Sequence, residues 1–162
     1  MKYKDITEQY TSKNKYQIKK QKYFIDDDGI KYNVDGKHVI FKPTQREIEV
    51  AELLGQAIGG KINIIPRINK PCGIKTPDYI INNEKFDLKQ ITSKRGNDCV
   101  KTSLRNQEKQ ANNFIIDNTA QTVSDADILK QIDEIYNSRG FLWINKIYLL
   151  KDDKFIKIFK RK

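Results

Sequence analysis

The sequence predicts a mixed α/β (α+β) fold, and three observations carry that expectation. Apolar residues at helical spacing are bracketed by a capping signal and a Gly-Gly pair. Short runs rich in β-branched and aromatic residues recur on both sides of turn-forming Asp-Gly, Asn-Asn and Asp-Asp pairs. The 162 residues, 38% hydrophobic and 32% charged, suffice for a packed core and are unlike a disordered chain.

Taken in order, Lys22 to Ile25, a turn at Asp26-Asp27-Asp28-Gly29 and Ile30 to Val34 read as a hairpin. A second turn at Asp35-Gly36 continues the ribbon into His38 to Phe41, because Asp-Gly accepts the left-handed backbone that tight hairpin turns need. Pro43-Thr44-Gln45-Arg46-Glu47 opens a helix with Thr44 and Glu47 in capping-box spacing. Val50, Leu53, Leu54, Ala57 and Ile58 form its apolar stripe, and Gly59-Gly60 ends it. Lys61 to Ile65 reads as a strand, followed by a Pro/Gly loop through Gly73. Thr76 to Ile81, a turn at Asn82-Asn83-Glu84, and Lys85 to Ile91 form a second hairpin, with a polar, basic loop from Thr92 to Asp98. Cys99 to Asn112 reads as helix and Asn113 to Asp117 as a short buried strand. Ser124 caps a helix reaching Tyr136, with Asp125 and Asp127 in its first turn. Phe141 to Leu150, a turn at Lys151 to Lys154, and Phe155 to Phe159 make a final hairpin. After the leading ribbon the order is α-β-β-β-α-β-α-β-β.

No apolar run approaches the roughly 18–20 residues of a membrane span, and the opening Met1-Lys2-Tyr3-Lys4-Asp5 lacks the apolar stretch of a secretory signal. The chain is therefore expected to be soluble and cytosolic. Cys72, Cys99 and His38 are its whole complement of thiols and imidazoles. Structural zinc, histidine-pair hydrolysis and the zinc site of base deaminases are thereby excluded, so any catalysis must use carboxylates and lysines. Both cysteines are expected to be free thiols, and His38 to be a surface strand residue.

The formal charge of +10 is uneven. Residues 1–23 hold seven Lys against Asp5 and Glu8, and residues 145–162 hold seven Lys/Arg against Asp152 and Asp153, so the middle of the chain is neutral. Basic ends of this kind attract phosphate without any sequence code. Tyr3, Tyr10, Tyr16 and Tyr23, interleaved with the N-terminal lysines, add surfaces on which bases stack.

Within the neutral middle, Pro77-Asp78 is followed nine residues later by Asp87-Leu88-Lys89. Side chains alternate along a strand, so Asp87 and Lys89 share one face and Asp78 reaches them from the neighbouring strand. Asp78, Asp87 and the Leu88 carbonyl offer the hard oxygen ligands that Mg²⁺ prefers. Such a cation polarises a phosphodiester and acidifies an attacking water, while Lys89 orients that water or offsets charge on the phosphate. Asp35-Gly36-Lys37 and Asp152-Asp153-Lys154 repeat the tripeptide only at turns, where such residues are solvated. The competing reading is a surface ion pair of Asp87 with Lys89. At about 100° per residue, Glu47 falls on the sheet-facing side of its helix and becomes a further candidate for metal or water contact beside its capping role. In the helix expected after Cys99, Lys101, Arg105 and Lys109 form an i, i+4, i+8 basic stripe with Gln110 beside it, either a substrate-backbone contact or a solvated face.

These residues resemble the PD-(D/E)XK nuclease superfamily, whose restriction-endonuclease-like core runs αβββαβ. More narrowly, Thr44-x-x-Glu47, Gly59-Gly60, Gly73-Ile74-Lys75-Thr76-Pro77-Asp78-Tyr79, Asp87-Leu88-Lys89 and Lys109 to Asp117 resemble the C-terminal tRNA-nuclease toxin domain of contact-dependent growth inhibition (CdiA-type) proteins. Similar domains end some phage head-morphogenesis proteins. The resemblance covers roughly residues 40–162, which divides the chain into a basic arm and hairpin over 1–42 and a nuclease-like domain over 43–162. It implies metal-dependent cleavage of tRNA in a target cell's cytoplasm and a cognate immunity protein. Asp78, Asp87, Lys89 and Glu47 take catalytic positions; Asp78, Asp87, Leu88 and Glu47 hold Mg²⁺ (or Mn²⁺ or Zn²⁺). Lys75, Thr76, Lys101, Arg105, Lys109 and Gln110 contact the substrate. A DNA endonuclease of the same fold and a non-catalytic nucleic-acid-binding module remain open, as does the choice among an excised toxin domain, an orphan and a phage protein.

Overall fold

The computed structural model describes residues 1–10, 15–92 and 98–162. Lys13 of the basic N-terminal segment and most of the polar loop expected from Thr92 to Asp98 lie outside them. The strands are β1 (Tyr3–Asp5), β2 (Tyr16–Lys20), β3 (Tyr23–Ile25), β4 (Lys31–Asn33), β5 (Val39–Ile40), β6 (Gly60–Ile64), β7 (Arg67–Ile68), β8 (Tyr79–Ile81), β9 (Glu84–Gln90), β10 (Asn113–Asp117), β11 (Lys146–Lys151) and β12 (Lys154–Arg161). The α-helices are α1 (Gln45–Ile58), α2 (Cys99–Leu104) and α3 (Asp125–Asn137). The fold is mixed α+β, rich in sheet and with few helices. The chain forms two compact units: a first of Met1–Tyr10, Asp87–Glu108 and Asn112–Lys162, and a second of Thr11–Phe86 and Lys109–Ala111.

In the first unit the strand order is β1-β12-β11-β10, followed by the part of β9 from Asp87 on. β10 and β11 run parallel, with Ile115 opposite Tyr148, whereas β12 is antiparallel to both β11 and β1. Asp152 and Asp153 both have positive φ, the backbone a two-residue hairpin turn requires, so the expected last turn forms. β10 is buried at every position, which explains its continuous apolar run. Ser124 caps α3 by accepting from the Asp127 N–H, and Ile128, Ile132, Ile135 and Tyr136 form its buried stripe. The strand expected from Phe141 begins only at Lys146. Arg161 donates to the carbonyls of Ile144, Tyr136 and Phe141, and its guanidinium lies 5.0 Å from the Tyr136 ring centroid, so the Phe141 and Ile144 oxygens point to a half-buried cation rather than into a ladder. Arg139 to Phe141 instead forms a 3-10 turn in which Phe141 is buried.

In the second unit β6 lies between β2, which is parallel to it, and β8, which is antiparallel; β8 turns into the first residues of β9 through Asn82 and Asn83, both at positive φ. The α1 capping box forms in both directions between Thr44 and Glu47, and Val50, Ala51, Leu54, Gly55 and Ile58 are buried. Gly55 is required by close approach: a Cβ there would fall 2.3 Å from the Tyr16 ring. β3 and β4 form the expected hairpin. The ribbon does not continue through Asp35, because Val39–Ile40 pairs with Arg67–Ile68, a strand inside the loop expected after Ile65. The Asp35 carboxylate explains the departure. It accepts the N–H groups of Lys37, His38 and Val39, curling the chain away from β4.

The basic ends are thus strands rather than free arms. Lys157 pairs with Asp5 at 3.1 Å and Lys151 with Asp125 at 2.7 Å. Tyr3 stacks on Tyr136 at 4.7 Å and donates to Asp133, Tyr10 meets Tyr148 edge-on, Tyr16 donates to Glu52, and Tyr23 lies under Lys31, so all four N-terminal tyrosines have packing partners.

Candidate functional site

Asp87 and Lys89 occupy β9 two residues apart, and a strand's period of two puts them on one face. In the first unit the Asp87 carboxylate is 1% exposed. Its Oδ2 lies 2.8 Å from Lys89 Nζ, and its buried Oδ1 has no hydrogen-bond partner among the described residues. Lys89, a fifth exposed, also donates to Gln107 Oε1 at 3.1 Å. The competing reading of a surface ion pair is half right: the pair forms, but it is buried. A carboxylate taken from water keeps its charge at a cost unless every oxygen is met, so the open Oδ1 is the feature of this pair that requires a chemical explanation.

Gln107 was not legible as a site residue. The helix expected from Cys99 to Asn112 ends at Leu104, with Arg105 extended and Asn106 at φ 61. The cause is apolar spacing. Val100 and Leu104 are buried, but Arg105 to Gln110 are all polar, so no further turn has anything to bury. The turn that replaces the helix carries Gln107 to Lys89, and Gln107 is anchored in turn by its own donation to the Arg105 carbonyl.

Lys101, Arg105 and Lys109 consequently form no helical stripe. Lys101 pairs with Asp98 and Glu134, whose hydrogen bonds raise its pKa, which commits it to acids within the protein. Arg105 is exposed after the helix end, and Lys109 belongs to the second unit.

In the second unit both carboxylate oxygens of Glu47 are engaged. Oε2 accepts the Thr44 N–H at 3.1 Å, and Oε1 meets Arg67 at 2.8 Å. Its side chain is 12% exposed, and its carbonyl accepts from the Tyr79 hydroxyl at 2.6 Å. The Asp78 carbonyl accepts from the Ile65 N–H, which fixes the backbone where Pro77-Asp78 enters β8. Lys75 and Lys109 line a cavity of about 360 Å³ together with Lys85, Asp27 and Phe24. Lys85 is bound there by Asp27 at 3.1 Å. Thr76 and Gln110 are half-buried.

Among the described residues, no three His, Cys, Asp or Glu side chains gather into a ready metal cage. What suits a hard cation is the unmet oxygen of Asp87, a carboxylate donor of the type Mg²⁺ takes. Cys72 and Cys99 are free, as expected, and His38 is exposed beside Asp35 at 3.0 Å but lies in the bend before β5 rather than in a strand. Among the described residues, no helix is long and apolar enough to cross a membrane.

No curated protein and no solved structure matches the chain. The stretch that carries Pro77-Asp78, the buried Asp87-Lys89 pair, the Gln107 turn and the β10–β11 core does have a counterpart. Residues 75–155, half of the chain, match the family model of the contact-dependent growth inhibition CdiA C-terminal domain, and the chain belongs to that family.

Proposed function

We propose that the chain is a metal-dependent ribonuclease of PD-(D/E)XK type that hydrolyses tRNA. Its family makes it a toxin domain that acts with a cognate immunity protein, and domains of this family are commonly nucleases. The observation that carries the finer reading is the Asp87 carboxylate, buried in a strand with one oxygen on Lys89 and the other unmet. A cation at the open oxygen offsets the cost of burying it. Asp87 and the Leu88 carbonyl would hold Mg²⁺, Mn²⁺ or Zn²⁺, and Asp78 and Glu47 are the further carboxylates that the sequence nominates for the ion. When bound, the ion polarises the phosphodiester and acidifies a water. Lys89, fixed between Asp87 and Gln107, presents a positive charge where phosphate oxygens gain negative charge. Lys75 and Lys109 hold the substrate backbone.

The test is cleavage of tRNA and of plasmid DNA, in Mg²⁺ and in EDTA, by the wild type, Asp87→Asn and Lys89→Ala. The reading expects tRNA cut only with the metal and by the wild type alone, with both variants folded. Cleavage of plasmid in place of tRNA, or full activity in both variants, contradicts it.

A further inference from the structure

Outside the Asp87-Lys89 pair, the first unit holds a cavity of about 380 Å³ lined by Arg105, Asn106, Glu108, Ser138, Phe141 and Trp143. Trp143, the one tryptophan of the chain, is half-buried. Its indole N–H donates to the Gly140 carbonyl at 3.1 Å, and its ring meets Phe114 edge-on at 5.6 Å and Phe141 at 6.4 Å. The ring is therefore fixed in orientation and its only donor is spent, so what it offers a ligand is an aromatic surface. Arg105 is exposed, and its charge acts on the Asp98 carboxylate through space, which leaves the guanidinium open to solvent. Glu108, also exposed, brings a carboxylate to the same wall. The segment from Arg105 to Glu108 serves two purposes: Gln107 holds Lys89, and the residues on either side of it line the cavity.

A planar aromatic surface, an exposed guanidinium and a carboxylate acceptor match the three parts of a nucleotide: a base with a π face, a phosphate, and exocyclic or hydroxyl donors. The volume lies in the range of small-ligand sites. Duplex RNA hides its base faces, whereas unpaired bases stack on aromatic side chains and arginine planes. We propose that this cleft takes one unpaired nucleotide of the RNA substrate, with its base on Trp143 and its phosphate at Arg105. The proposal rests on the ribonuclease reading and adds to it: the enzyme requires an unpaired nucleotide close to the cleaved bond, in a loop or at an end.

Trp143 is its own reporter. With EDTA present, so that nothing is cleaved, the wild type is titrated with nucleoside monophosphates, a short unpaired oligoribonucleotide and a blunt RNA duplex of equal length while tryptophan emission is followed. The proposal expects a saturable change with the first two and none with the duplex. Arg105→Ala, a surface substitution, should weaken oligonucleotide binding on the order of tenfold. No emission change with unpaired RNA, or an unchanged affinity in Arg105→Ala, overturns the cleft while leaving tRNA cleavage by the wild type untouched. Emission changes in a protein that does not cleave tRNA overturn the ribonuclease reading while supporting the cleft as a nucleotide site.

Discussion

Lys89 Nζ sits 2.8 Å from Asp87 Oδ2 on the same face of one strand, and among the described residues it is the polar partner that the buried Asp87 carboxylate has. An ion pair out of water costs desolvation on both sides, and its members depend on each other more than a surface pair does. The pair is therefore a structural unit, whatever its chemistry.

Lys89→Ala leaves the Asp87 charge buried without a counterion, and it should destabilise the protein by about 2–4 kcal/mol, reduced from the fully buried case because Lys89 retains some solvent. Asp87→Asn removes the charge, keeps an acceptor for Lys89, and should cost less. Urea unfolding of the two variants checks the order; the reverse order would show that the pair is not held by burial.

Gln107 accepts a hydrogen bond from Lys89 at 3.1 Å and so sets where the ammonium lies. Gln107→Ala should lower kcat for tRNA cleavage roughly tenfold with KM little changed, the pattern of a lost transition-state interaction. Gln107→Glu keeps an oxygen acceptor for Lys89 and should restore most of the rate. A purely structural role would predict equal thermal destabilisation by both variants and no such rescue.

Glu47 has a cap role in the structure and a proposed metal role, and substitution separates the two. Thr44→Ala removes the cap acceptor and should cost about 1 kcal/mol while sparing cleavage. Glu47→Gln retains an oxygen for the Thr44 N–H but loses the charge a cation needs, so it should spare stability and lower cleavage. Loss of cleavage in Thr44→Ala matching that in Glu47→Gln would assign Glu47 to the cap alone.

Asp35 sets a pH dependence of a different kind. Hydrogen bonds from the N–H of Val39, and from those of Lys37 and His38, hold its pKa well below the usual carboxylate range. The unfolded chain binds the proton more readily, so the stabilisation is present above about pH 4, the unfolded carboxylate value, and is lost as pH falls toward the folded value. Asp5 works in the same direction: burial raises its pKa, but hydrogen bonds from Thr7 and Lys157 outweigh it. Denaturation midpoints between pH 3 and 7 should fall on acidification in the wild type and less steeply in Asp35→Asn; identical slopes would contradict the turn's role.

Local chemistry decided what could be read from the residue string. The α1 capping box, the Asn82-Asn83 and Asp152-Asp153 turns and the apolar β10 each state their structure within a few residues. The Asp87-Lys89 face followed from strand period alone. Long-range competition decided the rest. Whether Val39–Ile40 pairs with β4 or with Arg67–Ile68 depends on an Asp35 carboxylate that three backbone donors claim. The end of α2 turns on a run of polar residues that helix propensity reads as favourable. Gln107 and Arg161 gave no local signal, because each acts by reaching backbone or side chains distant in sequence.

The open oxygen of Asp87 is tested most directly by calorimetric titration of Mn²⁺ into the wild type and Asp87→Asn, with tRNA absent. The account predicts saturable binding to the wild type and its loss, or a weakening of at least tenfold, in Asp87→Asn with the fold intact. Equal binding by both proteins, or none by the wild type, would contradict it.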